Sequence, residues 1–391
     1  MFSPLSILTY FFKNKRKVIP ILAIITLSIL GISVTAAING SMWREITDRV
    51  WFYEKYYDVY LTFSSESEGS LEEYQEEVEQ VDKEIKELDA VDHIIVADVQ
   101  ATDLMTLFGN EGARVIFVGE DDREKFVNEI GIELDEGRYP ESADEIALGR
   151  EMLMNKDLKV GDSIGSKIDD EESLSGEYKI VGALTYSDSK KSMKLGIGYR
   201  ENKSDDLSSA GLFLLNPKDG KAEELASALS RLEDKYGVIR VNTKESVDKM
   251  IDEEFSAVSK VLWAINVVVT LTITSSIALL NVIFFMQRAN EFGLLASLGY
   301  SRKFIVGRTL LESLISIILG WGLGIIFSEV VYGILNSWIF TPRGIQGLTV
   351  LESQTFLFTI PVPLAVAIFS CGTVFWKLMR MDPVSIIEKR D

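Results

Sequence analysis

The sequence is short of the residues that build stapled or metal-bound domains. It has one cysteine, Cys371, and one histidine, His93, in 391 residues. No internal disulfide framework and no Cys/His zinc cluster can be formed from such a set. A phosphate loop of the form G-x-x-x-x-G-K-[ST] is missing as well, so ATP hydrolysis is not expected of these residues. No nucleophile, base or metal constellation is present, which makes an enzyme the weakest class; no catalytic residue, metal ligand or cofactor is expected. Basic charge is scarce over residues 41–256, with 52 Asp and Glu against 26 Lys and Arg, while the rest of the chain is net positive within an overall charge of −19. So acidic a block repels phosphates, which excludes nucleic acid as a natural partner and electrostatic docking on anionic lipid.

What the chain does have is four long apolar runs. Val18–Ile38, Val258–Met286, Thr309–Leu335 and Phe356–Trp376 can each cross a hydrocarbon core of ~30 Å at about 1.5 Å per helical residue. Lys13, Lys15, Arg16 and Lys17 precede the first run. Arg288, Arg302, Lys303 and Arg308 follow the second, and Lys377, Arg380, Lys389 and Arg390 follow the fourth. By the positive-inside rule these segments and both termini are cytoplasmic, and the acidic block is outside. The expected fold is an α-helical membrane protein with four transmembrane helices and a large α+β extracytoplasmic domain inserted between helices 1 and 2. Its expected divisions are a cytoplasmic amphipathic segment (1–17), helix 1 (18–40), the external domain with a helical stalk (41–257), helix 2 (258–286), a cytoplasmic loop (287–308), helix 3 (309–336), an external loop (337–355), helix 4 (356–376) and a cytoplasmic tail (377–391). Leu5, Leu8, Phe11 and Phe12 recur at helical spacing, as in a helix lying in the membrane interface. The basic cluster and Thr35-Ala36-Ala37 also resemble a signal peptide, but the apolar run exceeds the about 7–15 residues of an h-region.

Within the external block, Asp58–Phe63 alternates as a strand, and Leu71, Tyr74, Val78, Val81, Ile85 and Leu88 follow at helical steps. Ile94–Val99 and Arg114–Gly119 read as strands. Gly211–Leu215, Ala222–Tyr236 and Val238–Asn242 repeat the strand, helix, strand order. Two βαβ-like units at the ends of the block predict one α+β subdomain, with a smaller β-rich subdomain inserted through Ile146–Leu148, Ser163–Ile164 and Tyr178–Leu184. Asp169, Asp170, Glu171 and Glu172 lack the alternating ligands and glycine of an EF-hand and read as an exposed acidic turn. Lys190, Lys191, Lys194 and Arg200 form a basic patch, either a solvated loop or a docking surface for an anionic partner. His93 is expected at a strand edge.

The stretch Met286–Lys303 resembles FtsX-like permeases, the family that includes MacB. Its pattern R-x-x-E-[IF]-G-[LI]-L-x-A-L-G-[AY]-[ST]-x-x-x-[IV] is matched by Arg288, Glu291, Phe292, Gly293, Leu294, Leu295, Leu298, Gly299, Ser301 and Ile305. Asn14-Lys-Arg-Lys17, Glu136–Pro140, Asp144–Gly149, Leu158–Asp162, Tyr178–Gly182 and Arg380–Ile387 look like further signatures of the family, whereas Ser297 departs from it. The resemblance implies a permease subunit of an ABC complex in the plasma membrane of a prokaryote. It also implies as partners a separate cytoplasmic ATPase, a second permease copy or paralogue, an external adaptor or hydrolase, and membrane lipid. The work would be export or extraction of a peptide, lipoprotein, lipid or antibiotic; the alternative is a regulator of an external cell-wall hydrolase, and a sensor without an ATPase leaves the motif unexplained. Arg288, Glu291, Phe292, Gly293, Leu294, Leu295, Leu298, Gly299, Ser301 and Arg302 would be the ATPase-coupling residues.

Local chemistry supports a short helix there. Phe292, Leu295 and Leu298 are expected on the face that seats in the ATPase, with Gly299 ending that helix and Ser301 capping the next. Gly320 and Gly324 permit close helix contact, within one protomer or across a dimer. Glu312 and Glu329 are expected to serve as helix-end groups without basic partners. Met42–Tyr56 and Thr243–Lys260 read as stalk helices, with Trp43, Ile46, Val50, Val247, Met250, Ile251 and Phe255 as apolar contacts.

Overall fold

The computed structural model describes residues 15–62, 71–106, 109–187, 193–201, 206–345 and 347–380. Leu5, Leu8, Phe11, Phe12, Lys190, Lys191 and the 381–391 tail lie outside them, as do the side chains of Trp43, Ile46, Val50, Phe255 and Arg302. The chain divides into two compact units. One comprises residues 1–42, 257–336 and 348–391, the other 43–256 and 337–347. Helices α1 (Lys15–Tyr53) and α7 (Lys244–Gln287) contribute residues to both.

The 43–256 unit is built on one ten-stranded sheet. Its elements run β1 (Tyr57–Leu61), α2 (Leu71–Lys86), β2 (Val91–Thr106), β3 (Gly109–Val118), α3 (Glu120–Ile130), β4 (Ile132–Gly137), β5 (Glu145–Gly149), α4 (Arg150–Lys156), β6 (Ser163–Ile164), β7 (Tyr178–Tyr186), β8 (Leu195–Tyr199), α5 (Leu207–Ala210), β9 (Leu212–Pro217), α6 (Ala222–Lys235) and β10 (Ile239–Asn242). The strand order is β10-β1-β9-β2-β3-β8-β5-β7-β4, with β6 paired to β7. At one end, β1-α2-β2 and β9-α6-β10 interleave as split βαβ units, with antiparallel pairing throughout.

The expected boundary with a separate β-rich subdomain is absent. Strand β2 is longer than its apolar core suggests: Val91–Ala97 pairs with β9 and Ala97–Thr106 with β3, carrying the sheet onward without a break. The polar second half of β2 is held by the loop facing it, where Gln100 bonds Tyr178 and the Ser175 amide, and Thr102 bonds Glu172.

Both sheet faces are covered, as the continuous apolar run Leu212–Leu215 of β9 requires when successive side chains point to opposite faces. Leu212 and Leu214 face a core with Ile95, Ile116, Phe126 and Ile130, whereas Phe213 and Leu215 face Val78, Val81, Ile85, Leu225 and Leu229 of α2 and α6. The first core also takes in Phe52, Tyr53 and Tyr56 at the end of α1 and Val247 and Ile251 at the start of α7. Met250 is half exposed and is not one of these contacts.

Polar bonds fasten the same corner. Arg114 donates to buried Asp58 at 2.7 Å and to the Tyr53 hydroxyl at 2.7 Å, and its guanidinium lies 4.8 Å from the Phe52 ring centroid. Burial raises the Tyr53 phenol well above its usual range. The Tyr56 hydroxyl donates to Glu129, and His93 lies within 3.2 Å of that hydroxyl and 2.9 Å of Asp92.

Two sequence expectations change here. Lys194 and Arg200 do not belong to a solvated patch: burial depresses Lys194 to about 8, and Arg200 is buried and paired with Asp98 at 3.2 Å. The 169–172 turn is only partly exposed, since the Glu172 side chain is 7 % exposed and accepts from Lys156 at 2.6 Å.

Arg138 and Glu145 make a bidentate pair that holds the Glu145 carboxyl at about 2, against an ordinary value of 4.5. A depressed carboxyl contributes stability above its unfolded value and loses it as pH falls through the folded one. Between pH 4.5 and about 2, hydrogen exchange at β5 and β7 should therefore rise more steeply in the wild type than in Glu145→Gln. Parallel acid profiles would contradict that account. Arg138 is half exposed, so solvent screening keeps the effect small.

In the other unit, α1 and α7 join α8 (Ala289–Ser297), α9 (Arg302–Leu335), α10 (Ser353–Thr359) and α11 (Pro361–Arg380). Three described stretches are long and apolar enough to cross a membrane: Val18–Ser41, Ser256–Leu280 and Lys303–Arg343. The fourth apolar helix, Thr355–Phe369, is shorter. Ile21, Ile25, Ile29 and Ile32 form the central seam, against Ile277, Ile317, Val362 and Val366. Gly320 and Gly324 lie where this seam is tightest. A Cβ on Gly320 would fall 2.8 Å from Ile25 Cβ, and one on Gly324 2.6 Å from Ile29 Cβ. Hydroxyls add bonds between helices, Ser33 to Ser328 and Tyr332 at 2.9 Å each and Thr35 to Asn266 at 2.6 Å.

Candidate functional site

Helix α8 is set between two long helices by local sequence signals. At its end Gly299 takes a left-handed φ of 85°, and the Tyr300 amide donates to Leu295 O at 3.1 Å. That six-to-one bond is the Schellman arrangement, in which a side chain at Gly299 would be strained. The Ser301 hydroxyl then accepts from the Phe304 amide and caps α9.

The apolar residues divide differently from the sequence expectation. Phe292 and, in part, Leu295 are buried against Ile305, Val306 and Leu310, so they fasten α8 to α9. Leu294 and Leu298 are 63 % and 67 % exposed. The reason is angular: at about 100° per residue, Leu298 lies roughly 120° from Phe292 but only about 40° from Leu294. Tyr300 and Phe304 stack at 5.2 Å and extend the exposed ridge. Gly293 is buried, and Glu291 is more than half exposed.

An ion-paired cluster anchors the start of α8. Arg288, at the junction with α7, donates from Nη1 to Glu312 at 2.7 Å and from Nε to Glu291 at 3.0 Å. Arg308 completes it, 3.1 Å from the second Glu312 oxygen, and the Arg288 guanidinium lies 5.1 Å from the Phe292 ring centroid. Arg288 and Glu312 are both buried. Glu312 therefore has two basic partners, contrary to the expectation of none. Glu329 does act as a helix-end group, accepting from the Thr349 hydroxyl and the Val350 amide at 2.9 Å each. Among the described residues no group of three or more His, Cys, Asp or Glu side chains is placed to hold a metal ion.

The unit with the membrane-length helices thus carries a short amphipathic helix braced by ion pairs at its start. Residues 263–383 match the FtsX-like permease C-terminal family. No curated protein matches the chain in sequence. Among solved structures, the chain is similar to the periplasmic region of MacB from Actinobacillus actinomycetemcomitans, at 9 % identity and a TM-score of 0.29 over 51 % of this chain and 94 % of that one. It is also similar to the extracellular domain of the noncanonic ABC-type transporter YknZ from Gram-positive bacteria, at 10 % identity and a TM-score of 0.27 over 48 % of this chain and 100 % of that one.

Proposed function

We propose that α8 is the coupling helix through which a separate cytoplasmic ATPase drives this permease. The observation that carries the reading is the exposed ridge of Leu294 on α8, Leu298 and Tyr300 in the turn that follows and Phe304 at the start of α9, beside a helix whose other side is packed and ion-paired. An apolar ridge at a polar, aqueous membrane face is costly unless a partner covers it. The partner is an ABC ATPase, acting on a pair of permease copies or on this chain and a paralogue. The basic flanks set both termini and α8 in the cytoplasm of a prokaryotic cell and the 41–257 region outside its plasma membrane.

Movement of α8 reaches α7 through Arg288. From Lys244 to Gln287, α7 is 44 residues long, about 66 Å of continuous helix. A push at its cytoplasmic end thus arrives at the external domain without a substrate path through the bundle. The task is export or extraction of a peptide, lipoprotein, lipid or antibiotic on the outer side.

The test is recovery of the ATPase with tagged protein from native membrane in mild detergent. Leu294→Asp with Leu298→Asp should cut recovery by at least ~tenfold, since buried interface anchors are worth about 2 kcal/mol each. The thermal midpoint should hardly move, because both side chains are exposed in the protein alone. Phe292→Ala should instead lower stability by about 3–5 kcal/mol. Full recovery with the double aspartate variant would remove α8 as the coupling element. An external hydrolase recovered with every variant would point to the regulator reading.

A further inference from the structure

The chain between α9 and α10 does not stay with the helices it connects. Its base is closed: the Asn336 side chain donates to Leu348 O and accepts from the Leu348 amide, both at 2.8 Å. Between these two residues, 337–347 groups with the sheet-containing unit. The segment has a compact course, a π turn (Asn336–Phe340) followed by a 3-10 turn (Thr341–Arg343), with Ile345 N donating to Phe340 O at 3.0 Å.

Two features fix its tip on α4. Asn155 Nδ2 donates to Arg343 O at 2.7 Å and to Met105 O at 2.8 Å, while its Oδ1 accepts from the Met105 amide at 2.8 Å. One side chain thus joins the end of β2, α4 and the loop, with both ends of its amide used. Gly344 sits at φ 59°, where a Cβ would lie 2.2 Å from Glu151 O. Backbone rests on backbone there, and no side chain fits. Phe340, in the same loop, is buried.

Ordering the described residues of this loop costs about 1–2 kcal/mol each in backbone entropy. A connector with no task beyond joining two helices would leave that cost unpaid and stay solvated. We propose that Ser337–Gly347 is a second transmission arm. It carries displacement of α9 and α10 to the external domain at α4, separately from α1 and α7, with Asn155 and Gly344 as its positioning residues. The inference rests on the permease reading given above.

The test is hydrogen exchange on the full chain with its co-purified ATPase, free and trapped with ATP and vanadate. In the wild type, trapping should change exchange by about threefold or more both at Arg150–Lys156 and at Lys244–Ser256. In Asn155→Ala and in Gly344→Ala the change at Arg150–Lys156 should vanish and that at Lys244–Ser256 should remain. Asn155→Ala acts from the domain side and Gly344→Ala from the loop side, so misfolding of one does not imitate the result in both. An unaltered response at Arg150–Lys156 in either variant would overturn the proposal. A wild-type response at neither place would overturn the permease reading itself, and this arm with it.

Discussion

Replacing Glu312 with alanine is expected to be the most damaging single change in the membrane domain, at about 3–5 kcal/mol of stability. Its carboxylate is 3 % exposed and accepts from Arg288 and Arg308, one on each oxygen. Without it two guanidinium groups keep the desolvation they have suffered and lose their shared counter-charge. The Glu291 carboxylate that Arg288 keeps is more than half exposed and so weakly attractive. The consequence reaches past stability, because Arg288 sits at the junction of α7 and α8. With one of its two carboxylates gone, α8 is no longer held to a single orientation, and ATPase recovery should fall together with the thermal midpoint. The coupling can be measured by a cycle of Arg288→Ala, Glu312→Ala and both. The double variant should be milder than the sum by about 0.5–3 kcal/mol, as for any pair in direct contact. Additive losses, or a Glu312→Ala protein with wild-type midpoint and ATPase recovery, would mean that the cluster braces nothing.

What could be read from the sequence was what depends on near neighbours. Gly299 and Ser301 declare a helix stop and a helix start within three residues, and they do so whatever surrounds them. The apolar run of β9 and the apolar stripe of α2 are legible for the same reason. The Glu312 pairing was not, since Arg288 lies 24 residues away and meets it only when α8 folds back on α9. Yet Arg308, four residues before Glu312, was a visible sign of a basic partner. The face of α8 was misjudged because Phe292, Leu295 and Leu298 share helical steps without sharing a side. The two-unit division of the external block failed at β2, whose second half puts Gln100, Thr102 and Asp103 where an apolar strand pattern would have been read, and holds its place partly through their side-chain bonds. Docking of 337–347 left only a faint trace, a glycine two residues after Pro342.

The second large effect is expected at the seam between α1 and α9. Gly320→Ala and Gly324→Ala each place a methyl group within 3 Å of an isoleucine Cβ and Cγ2, the branched root of the side chain rather than a flexible end that could yield. Overpacking of this kind costs about 1–3 kcal/mol per site, and it also stretches the 3.3 Å bond from the Thr26 hydroxyl to Gly320 O. Steric origin makes the loss reversible in a specific way. Ile25→Ala with Ile29→Ala alone opens a cavity worth about 2–5 kcal/mol per site, but in the double-alanine background the same pair supplies the missing space. The four-residue variant should therefore be more stable than the two pairs of losses added together. Gly322→Ala is the control, because nothing lies within 4 Å of a Cβ there. Equal losses at 320, 322 and 324, or strict additivity in the four-residue variant, would show that these glycines are not where α1 and α9 are held together.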